Sequence, residues 1–232
     1  MERRQFIKLC AASAAAGVTP AAALTDATAH FYARVKLLDE NRGALRAGSI
    51  APHRNLIFHY PYETTPCFLL NLGRPVDAVT RLKTADERGY EWKGGVGPGR
   101  SVVAYSAICA HQLAYPTRDI SFISYRTERS ARNRHGNVIH CCAEHSQYDP
   151  AEGARVVAGP ARQPLAAILL EHDAATDELY AVGTLGGEMF EKFFVKYGFR
   201  LGLEYGDGVR KSASGMTAVT SLENYCRQQV RC

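Results

Sequence analysis

Two short stretches of the chain contain side chains that bind metals. The first, SAICAHQLAYP, has Cys109 and His111 two positions apart, and the second, IHCCAEHSQYDP, has Cys142 and His145 three apart. Cysteine thiolates and histidine imidazoles are the ligands of tetrahedral zinc sites and of some iron–sulfur centres. Two residues of each type therefore predict a metal site where the two stretches meet in the fold.

The spacing of these residues favours two metal atoms over one. We interpret Cys109 and His111, which lie two apart in one short loop, as ligands of different metal atoms. We expect the same of Cys142 and His145 across a tight loop. A dinuclear cluster with both Cys on one iron and both His on the other meets this requirement. The alternative is one tetrahedral zinc ion bound by the same four residues, although zinc fingers more often use a Cys-x-x-Cys pair.

These motifs resemble those of the Rieske 2Fe-2S proteins, in which Cys-x-His is followed by a variable insert and then Cys-x-x-His. The resemblance extends to the flanking stretches VGPGRSVVAYSAICAHQL and YDPAEGARVVAGPARQPL and covers roughly residues 33–183. It implies an all-β fold, a Rieske-type antiparallel β-sandwich with a small cluster-binding subdomain. It also implies a 2Fe-2S cluster with Cys109 and Cys142 on the inner iron and His111 and His145 on the outer, solvent-facing iron.

The resemblance assigns supporting roles to five further residues. Ser146 and Tyr148 would supply hydroxyls to the sulfur atoms, and such hydrogen bonds favour the reduced state and raise the potential. For Tyr148, an aromatic residue packed in the core is the competing interpretation. A proline-containing loop formed by Gly159, Pro160 and Ala161 would shield the cluster.

The chain also departs from the family pattern. Many high-potential members have one additional Cys in each loop, bridged to each other, and here these positions are Ala114 and Glu144. That disulfide cannot form. Cys141, directly before an expected ligand, is interpreted as a buried or free thiol, with an alternative ligand or a new disulfide left open. His140 is expected to be a polar surface or structural residue.

The first 29 residues resemble a twin-arginine export signal. They have paired arginines, a mildly apolar Ala-rich stretch and an A-x-A site at Ala27-Thr28-Ala29, the order of regions found in such signals. This pathway exports folded proteins, which suits a bound cofactor, and it predicts a periplasmic protein. An uncleaved membrane anchor and an Ala-rich first helix of the fold are the alternatives.

Two further units follow the signal. Residues 30–185 are expected to form the Rieske 2Fe-2S domain, and residues 186–232 a C-terminal helical extension. A helix from Met189 to Tyr197, stopped by Gly198, is predicted from helical spacing of aromatic residues. Segment 79–92 is expected to contain a short helical turn. Strands are expected in four apolar runs: Asn55 to Tyr62, Cys67 to Gly73, Ser101 to Ile108 and Leu165 to Asp173.

The net charge of the chain and the distribution of its arginines indicate which classes of partner to expect. The formal net charge is only +5, which is too weak and dispersed to indicate nucleic-acid binding. Residues 112–141 contain five arginines, and this insert is interpreted as a solvated loop that could also dock an acidic redox partner.

The sequence thus predicts a periplasmic Rieske-type electron-transfer protein, an oxidoreductase subunit rather than a catalyst alone. Its partners would be a large quinol- or substrate-oxidising subunit and a c-type cytochrome. It is similar to the small subunit of arsenite oxidase and to the iron–sulfur subunit of quinol:cytochrome c oxidoreductases. Membrane contact is expected to be at most peripheral or through an uncleaved signal. The competing function is a structural zinc-binding interaction module that uses the same Cys and His residues.

Overall fold

A large β-sheet forms the body of the protein. The computed structural model describes residues 27–131 and 134–232, so the expected export signal lies outside the described residues except at its last three positions. The strands of this sheet are β1 (His30–Leu38), β2 (Leu56–His59), β3 (Pro66–Asn71), β6 (Val102–Ser106), β12 (Ala167–Asp173), β13 (Glu178–Leu185), β14 (Met216–Ala218) and β15 (Thr220–Ser221). Their order is β14-β1-β13-β12-β6-β3-β2-β15, and every neighbouring pair is antiparallel except β1 with β14. The four strands expected from the apolar runs are therefore confirmed as β2, β3, β6 and β12.

A second, smaller sheet contains four antiparallel strands. They are β8 (Ile123–Arg126), β9 (Val138–Cys141), β10 (Ser146–Asp149) and β11 (Arg155–Ala158), in the order β11-β10-β9-β8. The hairpin between β9 and β10 turns over residues 142–145 and pairs Cys141 with Ser146. The insert of residues 112–141 is therefore partly strand, because it contains β8 and β9. Docking of an acidic partner on its arginines stays a prediction.

Two short pairs of strands complete the β-structure of the described residues. One is a hairpin of β4 (Thr80–Lys83) and β5 (Gly89–Trp92), and the other pairs β7 (Ile120–Ser121) in parallel with β16 (Gln228–Gln229). The helical turn expected within residues 79–92 is wrong. Buried and exposed side chains alternate along β4, as a half-buried strand requires, and Tyr90 and Trp92 bury the matching face of β5.

The central strands of the large sheet are buried on both faces. Phe68 and Leu70 of β3 belong to one apolar cluster, while Cys67 and Leu69 belong to another on the opposite face. Because successive side chains of a strand point to opposite faces, this strand appears in the sequence as a continuous apolar run. The small sheet contributes Ile139 and other side chains to the first cluster, so the two sheets share one core.

The expected C-terminal helix is present and is longer than predicted. Helix α1 (Phe190–Tyr205) continues through Gly198, and Gly206 is its C-cap residue. An internal glycine costs a helix about 1 kcal/mol relative to alanine. Leu201, in the turn after Gly198, is buried against Phe193 and Phe194, and this packing offsets that cost. Among the described residues, no helix is both long and apolar enough to cross a bilayer.

The end of the chain is more than a helical tail. A single helical turn, α2 (Leu222–Tyr225), is capped by Ser221, whose Oγ accepts a hydrogen bond from the Asn224 backbone N–H. Strands β14, β15 and β16 on either side of it join the edges of two sheets. The all-β fold class with a C-terminal helix is confirmed, and the extension also supplies edge strands that the sequence did not indicate.

Candidate metal centre

The loop that contains Cys109 and His111, here called the first metal-binding loop, follows β6 of the large sheet. Cys109 is fully buried in this loop, and its backbone N–H donates to the Ala114 carbonyl at 2.8 Å. Its own carbonyl accepts from the Leu113 N–H at 3.0 Å, which closes a tight turn around His111. Leu113 has a φ of 63°, a conformation that few residues other than glycine adopt. The turn leaves the imidazole of His111 at the rim of the site, where it is half-buried.

The second metal-binding loop is the turn of the β9–β10 hairpin. The backbone N–H of Cys142 donates to the Phe122 carbonyl at 2.6 Å, which ties the turn to the insert. His145, the last residue of the turn, has a φ of 57° and is half-buried. The two sheets thus supply one loop each, as the two sequence motifs require.

A buried cluster of two cysteines and one tyrosine lies where the two loops meet. The thiols of Cys109 and Cys141 are hydrogen-bonded to each other. The hydroxyl of Tyr148 lies 3.3 Å from Cys109 Sγ and accepts a hydrogen bond from the Ala110 backbone N–H at 3.2 Å. All three side chains are buried. Tyr148 is therefore both a core aromatic and a neighbour of a candidate ligand, so its two sequence interpretations are compatible.

Acidities within this cluster are strongly shifted. The hydrogen bond from Cys141 lowers the pKa of the Cys109 thiol, and the hydroxyl of Tyr148 acts in the same direction. The same contact with Cys109, together with burial, raises the pKa of Cys141. Burial, followed by the nearby Cys109, raises the pKa of Tyr148, which stays a neutral donor. Cys109 is thus the more easily formed thiolate of the pair, and thiolates are the form that binds metals.

Cys142, the second expected cysteine ligand, is bonded to another residue in the structure. It forms a disulfide with Cys232, across a Cα–Cα distance of 5.7 Å, and a disulfide sulfur is not a thiolate ligand. A ligand role for Cys142 therefore stays a prediction, and it would require this disulfide to be open. Cys141 ends β9 and Cys142 follows it, so their side chains point to opposite sides. Cys141 faces Cys109, whereas Cys142 faces the C-terminus.

The imidazole of His111 provides the best test of whether a cofactor fits. Its Nδ1 atom is buried and has no hydrogen-bond partner among the described residues. A buried polar atom without a partner costs about 1–3 kcal/mol, so such atoms usually have a ligand or a bound water. Two contacting cysteines, this nitrogen and the imidazole of His145 on the second loop are the donor types of a Rieske 2Fe-2S cluster. The residues present therefore fit that group.

The remaining expected site residues lie close to the second loop. Ser146 is fully buried at the start of β10, beside the Tyr148 hydroxyl. Gly159 has a φ of 87°, and a Cβ built on it would lie 2.5 Å from both the His145 carbonyl oxygen and Ser146 Cα. Only glycine fits so close an approach. The loop of residues 159–161 therefore packs directly on the second metal-binding loop, where a shielding role was expected.

Two supports of the site were not predicted from the sequence. Helix α1 packs on the first loop, where Phe193 and Phe194 bury Ile108 and Leu113. Lys196 Nζ also donates to the Gln112 carbonyl at 2.7 Å. The amphipathic pattern of α1 predicted that one face of the helix packs against another part of the protein. The pattern does not indicate which element that is.

The second support is the C-terminal strap, defined as residues 227–232. The backbone N–H of Val230 donates to the Ser121 carbonyl at 2.8 Å, and the guanidinium of Arg126 donates to the Val230 carbonyl. The disulfide of Cys232 fixes the end of the strap to the second loop. A cysteine as the last residue was the available sequence signal, although its pairing cannot be read from a sequence.

His140 differs in part from its expected description. It is fully buried rather than at the surface, which agrees with a structural role. Burial, followed by the charges of Arg126 and His145, lowers the pKa of His140 to about 4. Its imidazole is therefore neutral near pH 7. The ring lies beside that of His145, with 5.9 Å between the centroids.

Comparison with known proteins gives a similarity to a solved structure. No protein-family model matches the chain. Among solved structures, the chain is similar to the soluble domain of the Rieske protein II (soxF) from Sulfolobus acidocaldarius. The two share 26% identity with a TM-score of 0.46, over 66% of this chain and 78% of that one.

Proposed function

We propose that this protein is a one-electron carrier with a Rieske-type 2Fe-2S cluster between its two metal-binding loops. Cys109 and Cys141 would supply the two thiolates, and His111 and His145 the two imidazoles. The observation that carries the proposal is the buried contact of Cys109, Cys141 and the Tyr148 hydroxyl, with the unpaired Nδ1 of His111 on the same loop. When bound, such a cluster accepts and releases single electrons.

The buried and the half-buried residues of such a site would have different roles. Buried Cys109 and Cys141 hold the inner side, away from water, whereas half-buried His111 and His145 face the rim. The Tyr148 hydroxyl donates to the Cys109 sulfur, which spreads negative charge and favours the reduced state. The loop of residues 159–161 excludes water from the second loop. Electrons would enter and leave through the two imidazoles.

The proposed setting follows from residues outside the site. The N-terminal pattern supports export to the periplasm by the twin-arginine route, with any membrane contact peripheral or through an uncleaved signal. The arginines of the insert support docking of an acidic partner. We propose that electrons pass from a large quinol- or substrate-oxidising subunit to a c-type cytochrome, and that the protein acts as a subunit of that complex.

Purified protein tests the cofactor directly. We expect a red-brown oxidised form, acid-labile sulfide and a rhombic EPR signal on reduction. A colourless protein with stoichiometric zinc and no sulfide would instead establish the structural zinc module.

A pair of neighbouring substitutions tests the ligand assignment. Cys141→Ser removes a thiolate and should abolish the visible absorbance and the labile sulfide of protein matured in cells. Cys142→Ser is the matched control and should retain both, because its sulfur faces Cys232. Loss of the cluster in Cys142→Ser alone would return the second thiolate to Cys142.

A further inference from the structure

A second group of metal-binding side chains lies beside the proposed cluster site, on its C-terminal side. Cys232 Sγ lies 3.6 Å from Nδ1 and 3.5 Å from Nε2 of His140. Donor atoms of His140, His145 and Cys232 all lie within 4.8 Å of one another. Cys142 Sγ is bonded to Cys232, so two sulfur atoms and two imidazole rings lie close together.

We propose that reduction of the Cys142–Cys232 disulfide opens a second metal site, which binds Zn²⁺. The ligands are the thiolates of Cys142 and Cys232 and the imidazole of His140, with His145 as the fourth donor. This site shares only His145 with the proposed cluster site, because it uses neither Cys109, His111 nor Cys141. The proposal stands on its own geometry and does not require the cluster.

The spacing of the donors fits a tetrahedral ion. With zinc bonds of about 2.0–2.3 Å, the ligand atoms of a tetrahedral site lie about 3.3–3.8 Å apart. The separations between Cys232 and His140 already fall in this range. The group within 4.8 Å needs only a small contraction. The Cα atoms of Cys142 and Cys232 are 5.7 Å apart, so both sulfurs stay in reach after the bond is broken.

The opening step is a simple two-electron reduction. A dithiol reductant breaks the sulfur–sulfur bond, each sulfur takes one proton, and the reductant becomes its own disulfide. Binding of Zn²⁺ then releases the two thiol protons. Two thiolates and one dication form a neutral group, which a largely buried position accepts more readily than a net charge.

Contacts already present in the structure hold Cys142 and Cys232 in position for binding the ion. The guanidinium of Arg126 lies 3.5 Å from Cys142 Sγ, which places a positive charge beside the proposed site. Hydrogen bonds from Val230 and Arg227 hold the C-terminal strap against β7 and its neighbouring turn independently of the disulfide. Reduction therefore frees the two sulfurs without releasing the strap that carries Cys232.

The consequence for the cluster site lies at His145. If His145 is also a cluster ligand, as the proposed function states, Zn²⁺ and the cluster compete for one imidazole. Reducing conditions with zinc would then make the cluster less stable. This consequence alone depends on the proposed function.

The experiment measures zinc bound by the full chain before and after reduction. The protein is treated with a water-soluble phosphine, given ZnCl₂ alone, desalted, and assayed for zinc with a chromogenic chelator. We expect about one additional zinc per chain after reduction and none without it. The visible absorbance of the same samples reports the cluster separately, so failure of one proposal is distinguishable from failure of the other.

Variants identify the ligands of the ion. Cys232→Ser and His140→Ala should each lose the additional zinc, and circular dichroism checks that both are folded. Cys226→Ser is the control, because that buried thiol lies in the same C-terminal segment without contacting His140 among the described residues. The proposal is overturned if reduced wild-type protein takes up no more zinc than Cys232→Ser, or if Cys226→Ser also loses it.

Discussion

At the scale of single residues, two adjacent cysteines have opposite environments. Cys141 is buried against Cys109 and Tyr148, whereas Cys142 is half-buried and bonded to the C-terminus. The hairpin register decides this, because it pairs Cys141 with Ser146 and leaves Cys142 in the turn. The spacing between Cys142 and His145 in the sequence contains no information about this register.

Tyr148→Phe should lower the reduction potential while the cluster is retained. The substitution removes the hydroxyl 3.3 Å from Cys109 Sγ and leaves the ring in the core. Redox titration followed by visible absorbance measures the change. Tyr105→Phe is the matched control, since that buried hydroxyl donates to the Pro150 carbonyl and not to sulfur. Equal midpoints for wild type and Tyr148→Phe would leave this residue a role in packing only.

At the scale of elements, helix α1 has two apolar faces with different environments. Phe193 is completely buried against the first metal-binding loop, whereas Phe199 is 84% exposed on the opposite face. The helix therefore stabilises the first loop through one face only.

Phe193→Ala should reduce the free energy of unfolding by about 3–5 kcal/mol, because it leaves a cavity between the helix and the loop. Phe199→Ala, on the same helix, should change it by no more than about 0.5 kcal/mol. Chemical denaturation monitored by circular dichroism measures both. Similar losses for the two variants would show that the exposed face is covered in solution.

Asp177 joins elements that are distant in the sequence. Its carboxylate accepts a hydrogen bond from the Gly48 backbone N–H at 2.9 Å and lies 2.7 Å from His172 Nε2 on β12. The Gly48 N–H, followed by His172, lowers the pKa of the Asp177 carboxyl. A lowered pKa in the folded state means that this carboxylate stabilises the protein above its ordinary pKa. The stabilisation is lost as the pH falls through the folded-state value.

Asp177→Asn should therefore be less stable than wild type at pH 7. The difference should shrink as the pH falls below the ordinary pKa of an aspartate and the Asp177 carboxylate becomes protonated. Asparagine tolerates the φ of 60° at this position. Thermal unfolding across this pH range measures the difference, with Asp207→Asn on an exposed 3-10 helix as control. A difference that persists undiminished at low pH would contradict the electrostatic origin.

At the scale of the whole molecule, the C-terminal strap is fixed both to β7 and to the second metal-binding loop. The described part of the chain begins at residue 27, just before β1, and ends in the strap, which crosses β7 and reaches the second loop. The Cys142–Cys232 bond spans 90 residues of sequence. A cross-link over such a long loop restricts the unfolded chain and stabilises the folded one.

Cys232→Ser should lower the free energy of unfolding by about 2–4 kcal/mol in oxidised, metal-chelated buffer. Adding a phosphine reductant to both proteins is the internal control, since the wild type then loses the same cross-link. The two should become nearly equal. A gap that survives reduction would assign the loss to packing of Cys232 rather than to the disulfide.

The sequence by itself predicted the all-β fold class, four strands of the large sheet and the helix that follows the sheet. It also singled out Cys109, His111 and His145, whose role as cluster ligands stays a prediction. Local periodicity and the spacing of Cys and His carry that information, because both depend on near neighbours in the chain. Only the tertiary structure decided which cysteine meets Cys109, that α1 covers the first loop and that the last residue bonds to the second. These are contacts between distant segments, set by strand register and by the packing of whole elements, to which no local pattern corresponds.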